Sequence, residues 1–227
     1  MSKILVLIDG FNFYHRLKVF QGKYNVCVKW LDYKKLILHY FQSQNDSLNE
    51  YEFIYFSAIA EHRGISCAER HKIYIEALKS AGINIVLGKF KEKKISRCSC
   101  SEKCVNCTIR PDKTKLIKHE EKNTDVNIAI TLVEKALQKS YDSCYILSSD
   151  SDFYSAIERA KQLHPKGKLI LVPPPLPENS KRNRPYCIKE IKQLTGNHPL
   201  FISWNVVKKA QFPDKISQNI YNPWKIT

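Results

Sequence analysis

Two aspartates stand where a short apolar stretch runs into a polar turn, in Tyr145-Ile146-Leu147-Ser148-Ser149-Asp150-Ser151-Asp152-Phe153. One carboxylate is enough to cap a following helix. A second, two residues on, suits a shared metal ion. Another acid, Asp9, closes the apolar run 3–8 and precedes Gly10, which permits a tight turn, and Asn12, whose amide can bond a carboxylate or the backbone. Asp125 opens the strongest helical pattern of the chain and borders its apolar face, an unusual place for an unpaired carboxylate. Lys122, nearby, can pair with Asp125 or meet a phosphate. Three or four acids in one cleft repel each other until their pKa values rise or a cation binds. All-oxygen ligation suits Mg²⁺ or Mn²⁺.

The elements that must position these acids follow from periodicity. The continuous apolar run 3–8 reads as a central strand buried on both faces; 51–59, aromatic and apolar, 83–90, 143–148 and 168–172 read as further strands, with a last one expected at 200–204. Helical patterns fill 13–20, 31–41, 66–81, 126–137, 151–163, 187–194 and 206–210. Thr124 is the expected N-cap of the helix at 126–137, whose stripe is Val126, Ala129, Ile130, Val133 and Leu137, widened by Ile128, Leu132 and Ala136. Gly82 is the expected stop after residue 81. Strands alternating with helices imply an α/β fold, a parallel sheet flanked by helices. If the strands at 3–8 and 143–148 are neighbours, Asp9 meets Asp150 and Asp152 at the topological switch, outside the carboxyl ends of the strands, and the helix opening at Asp125 approaches the same point.

The chain carries Lys+Arg 37 against Asp+Glu 22, a net charge of +15. That excess favours a polyanionic partner, nucleic acid before membrane. Arg63 and Arg70, close to the exit of the strand at 51–59, are the better candidates for phosphate contact in their segment. Lys181, Arg182 and Arg184 lie in a basic loop after the Pro-rich stretch 173–177, on the edge that carries the aspartates. An acidic metal site on a basic protein is the logic of a nuclease: the ion activates water, while Lys and Arg position the backbone.

Four of the eight cysteines, Cys98, Cys100, Cys104 and Cys107, crowd into ten residues. Four thiolates so spaced can surround one tetrahedral zinc, His119 being able to replace one of them. An iron–sulfur cluster and metal-free reduced thiols are the rival readings. The flanking runs 89–96 and 113–119 can pair as a hairpin carrying the site at its tip, in a role that holds the insertion together. No signal peptide or membrane-length apolar run is visible, so the expected compartment is the reducing cytoplasm.

Ile8-Asp9-Gly10-Phe11-Asn12, the run Glu121 to Ala129 with Asn123-Thr124-Asp125 at its centre, and Ser148 to Phe153 together resemble the NYN domain family of the PIN-like nuclease superfamily. Gly88-Lys89-Phe90 and Lys209-Ala210-Gln211-Phe212-Pro213-Asp214 are similar to its LabA-like bacterial branch. The resemblance covers roughly 3–215. It implies a PIN-like (Rossmannoid) sheet and a Mg²⁺- or Mn²⁺-dependent endoribonuclease acting on RNA. It also implies Asp9, Asp125 and Asp150 as metal ligands, and Asp152 as a ligand or the orienter of a metal-bound water. Asn12 would hold Asp9 or touch the phosphate, and Ser149, where relatives commonly carry Gly, would bond the substrate. The expected organisation is one nuclease domain over 1–215, a Cys-rich insertion at 91–119 within it, and a tail at 216–227. The alternatives are a catalytically silent RNA-binding module of the same fold and a metal-dependent phosphatase. One phosphatase class needs Asp-x-Asp after the first strand, which Asp9-Gly10-Phe11 lacks. A toxin or defence component is a role rather than a mechanism, and it is compatible with nuclease activity. Homo-oligomerisation or a protein partner is not readable from the residues.

Overall fold

The computed structural model of the chain describes residues 2–41, 50–95, 116–175 and 186–225. Its centre is β1 (Lys3–Asp9), buried from Ile4 onward. Side chains alternate across a strand, so Ile4, Val6 and Ile8 enter one core while Leu5 and Leu7 enter another. This two-sided burial explains why β1 is a continuous apolar run rather than an alternating one.

Five parallel strands make the main sheet: β1, β2 (Glu50–Ser57), β3 (Asn84–Leu87), β6 (Ser143–Leu147) and β7 (Lys168–Leu171), in the order β3-β2-β1-β6-β7. The chain builds outward from β1 to β2 and β3, then returns to β1's other side with β6 and β7. The reversal between β1 and β6 is the topological switch.

Helices cover both faces. α1 (Gly10–Tyr24), α2 (Tyr33–Phe41), α3 (Ile65–Ser80) and α7 (Trp204–Lys209) supply residues to the first core. α4 (Thr124–Leu137), α5 (Tyr154–Leu163) and α6 (Tyr186–Thr195) supply the second. Gly82, at φ 80, ends α3 as expected: Gly82 N donates to Lys79 O and Ile83 N to Leu78 O. Residues 202–224 also contribute to the first core, with Trp204 stacked on Phe20 at 3.6 Å and Trp224 edge-on to Tyr74 at 5.6 Å.

Three expectations are corrected. The run 83–90 is two strands, not one: the chain breaks at Gly88 and turns into β4 (Lys89–Ile95), which pairs antiparallel with β5 (Leu116–Lys122) in a separate ribbon, with Lys89 opposite Lys122. Leu200–Trp204 is no strand: Leu200 N bonds Leu171 O once, and Ser203 then caps α7. On α4 the buried stripe is Ile128, Leu132 and Ala136, while Val126, Ile130 and Leu137 stay exposed. A helix apolar on nearly every side leaves the choice of buried face to its neighbours. The four clustered cysteines and Lys181, Arg182 and Arg184 lie outside the described residues.

Candidate active site

Asp9 is both the last residue of β1 and the N-cap of α1, and it is only 4% exposed. Its Oδ1 accepts from Asn12 N at 3.0 Å and its Oδ2 from Ser148 Oγ at 2.8 Å. The Ser148 hydroxyl in turn accepts from Asp150 N at 3.1 Å. One buried side chain therefore ties the exits of two neighbouring strands together. Asn12 adds a second tie: its Oδ1 accepts from the Ser149 backbone N at 3.2 Å and from Ser149 Oγ at 3.0 Å. Asp150 caps the short helical turn Ser151–Phe153, accepting from Asp152 N at 3.0 Å.

The third side of the site comes from the ribbon. Asn123, in the left-handed region at φ 77, turns β5 into α4 and is the cap residue there in place of the expected Thr124. Asp125 then lies in the first helical turn, exposed, and Thr124 is buried. The Thr124 hydroxyl donates to Glu121 Oε1.

These residues line one cleft of about 380 Å³. Asp9, Asp125, Asp150, Asn12 and Ser149 all face it, with Glu121 as a fourth carboxylate and His15 and Arg16 also in the lining. Burial raises the Asp9 pKa to about 6 against its two hydrogen bonds, and Asp125 and Asp150 add repulsion. Burial takes Glu121 to about 7, with Asp9 and Asp125 pushing the same way. Asp125 is raised by partial desolvation, then by Asp150 and Asp152. Burial and the nearby Arg63 and Lys18 lower His15. Asp152 is exposed and does not line the cleft, though its charge acts on Asp125.

Among the described residues, no three His, Cys, Asp or Glu side chains close on one point as a formed metal cage. The donor chemistry still fits a hard divalent cation: the cleft presents four carboxylates and no thiolate, and the shifted carboxyls resist ionising together without a counter-charge.

The basic candidates distribute differently. Arg63 and Arg70 line a second cleft, which shares Phe11 with the first. Lys122, at the end of β5, pairs with Glu120 at 3.1 Å and does not line the acid cleft. Glu121, His15 and Arg16 escaped the sequence reading. The α1 pair had a signal, since Asn12, His15, Arg16 and Val19 share one helical face. Glu121 had none beyond its place in the Asn123-Thr124-Asp125 motif.

No curated protein matches the chain. Among solved structures, a Vibrio parahaemolyticus protein of unknown function is similar at 16% identity and a TM-score of 0.49, over 97% of this chain and 96% of that one. The model of the NYN domain matches residues 3–191, and the chain therefore belongs to the NYN domain family, within the PIN-like nuclease superfamily.

Proposed function

We propose that the acid cleft is the active site of a divalent-metal-dependent endoribonuclease. The observation that supports it best is the gathering of Asp9, Glu121, Asp125 and Asp150, from three separate stretches of chain, at the switch point of a protein with net charge +15. NYN membership supports nuclease and RNA-related work. Asp9, Asp125 and Asp150 would hold Mg²⁺ or Mn²⁺, with Asp152 as a further acid nearby. When bound, such an ion supplies Lewis-acid polarisation of a phosphoryl oxygen and acidifies water.

The chain's own groups do the positioning. Ser148 and Asn12 lock the Asp9 carboxylate in one orientation by hydrogen bonds to its two oxygens. The Asn12 side chain also holds the Ser149 turn, so a substitution there would loosen the exit of β6, while the backbone bond to Asp9 remains. Arg16, which lines the same cleft, would meet a phosphate that the acids alone would repel. RNA is the substrate the charge supports, and the cytoplasm the compartment. No helix among the described residues is long and apolar enough to cross a membrane. Zinc at Cys98, Cys100, Cys104 and Cys107 rests on their spacing; elemental analysis should find about one zinc per chain.

The test is cleavage of single-stranded RNA with Mg²⁺ or Mn²⁺, with EDTA, and with Asp9→Asn and Asp150→Asn. Chelation should abolish cleavage, and each substitution should cost roughly 10²–10³-fold in rate while RNA binding persists. Cleavage that survives both chelation and substitution would sink the reading.

A further inference from the structure

Four carboxylates against one arginine, Arg16, leave the acid cleft to contribute little of the affinity for RNA outside the scissile phosphate. The affinity must come from a surface beside it. The second cleft shares Phe11 with the first and has the opposite character: Lys29, Arg63 and Arg70 line it, and no carboxylate does. Neither arginine forms an ion pair among the described residues. Lys29 sits over the Trp224 ring at 5.3 Å, and burial with the nearby Arg70 lowers its pKa. Crowded cations without a counter-ion are a standing repulsion that an anion relieves. Aromatic rings, among them Phe11, Tyr14 and Trp224, make up about half of the remaining wall. Rings beside arginines are what a nucleobase and its phosphate need.

We infer that the second cleft, about 100 Å³ in volume, anchors one phosphate of single-stranded RNA on Lys29, Arg63 and Arg70, with the attached base lying over its aromatic residues at the mouth, next to the phosphodiester in the acid cleft. This rests on the ribonuclease reading for its substrate. Continuity through Phe11, which lines both clefts, puts the two sites on one strand. A paired base stays stacked inside its helix, so the site selects unpaired RNA.

The experiment measures binding apart from cleavage. A fluorescent single-stranded RNA oligonucleotide is titrated against Asp150→Asn protein in EDTA over a range of salt, with a duplex of the same sequence beside it. Tyr14→Leu should weaken single-strand binding about tenfold. Arg63→Gln and Arg70→Gln should each lower the salt slope by about one. A second readout needs no substitution: Cys67 also lines this cleft, so bound oligonucleotide should slow its alkylation at least about tenfold, read by peptide mass spectrometry. Wild-type affinity and slope in the folded variants, or an unchanged Cys67 rate at saturating RNA, would overturn the inference and leave the nuclease reading standing. Protection of Cys67 in a protein that cleaves nothing would support the pocket and remove the nuclease.

Discussion

Gly88→Ala should damage both the fold and the site from a position that belongs to neither acid nor cation. Gly88 sits where β3 ends and the ribbon begins, and Gly88 N donates to Ser57 O at 2.8 Å. A Cβ built there would lie 2.6 Å from Lys122 O, 2.7 Å from Thr124 Oγ1 and 3.1 Å from Thr124 N. The obstruction is mostly the chain turning from β5 into α4. To reach ordinary contact at 3.4 Å, that turn must retreat by about 0.8 Å. Overpacking of this kind costs about 1–3 kcal/mol. For a chain of this size, a loss of about 2 kcal/mol is about 4–8 °C in Tm. The displaced segment carries Glu121, Thr124 and Asp125, so cleavage measured well below Tm should fall about 100-fold, the scale of a misplacement near 1 Å. Calorimetry and RNA cleavage by the same preparation check both numbers. Gly88→Ala protein with unchanged Tm and full cleavage would refute the close-approach reasoning.

Gly22→Ala is the counterpart. Gly22 lies within α1 and an added Cβ would meet nothing within 4 Å, so the change should stabilise by about 0.5–1 kcal/mol, seen as a higher denaturation midpoint. His71 should make the wild-type protein acid-sensitive. Burial lowers its pKa from 6.5 to about 4, and its Nε2 lies 3.5 Å from Ser57 Oγ. Above pH 6.5 the imidazole is neutral folded or unfolded and contributes no pH dependence. As pH falls from 6.5 toward 4, the unfolded chain takes up a proton that the folded chain refuses, and up to about 3 kcal/mol is lost. The stability difference between His71→Gln and wild type should therefore shift in the variant's favour across that window. Denaturant midpoints at pH 7.5, 6 and 4.5 read it, and a difference constant with pH would refute the assignment.

Parts of this architecture were open to reading along the chain. β1 announced itself because a strand buried on both faces has no room for a polar residue until it ends, and it ends on Asp9. The same reasoning placed Ser148 to Asp152 at a strand exit. The ribbon was legible in outline from the runs flanking the cysteines. The buried face of α4 was not, since Val126, Ile130 and Leu137 are as apolar as Ile128 and Leu132, and only packing against the sheet chose between them. Ile202 is buried without strand pairing, so an apolar run alone misled at 200–204.

What the residues determined by themselves is local: acids at the ends of apolar runs, a glycine where α3 stops, an excess of positive charge. Nothing local says that β1 pairs with β6, whose partners lie well over a hundred residues apart in the chain, or that Ser148 Oγ therefore reaches Asp9. Strand order is a compromise among all the buried faces at once. That compromise brought Glu121 and Arg16 into the acid cleft and moved Arg63 and Arg70 to the cleft beside it.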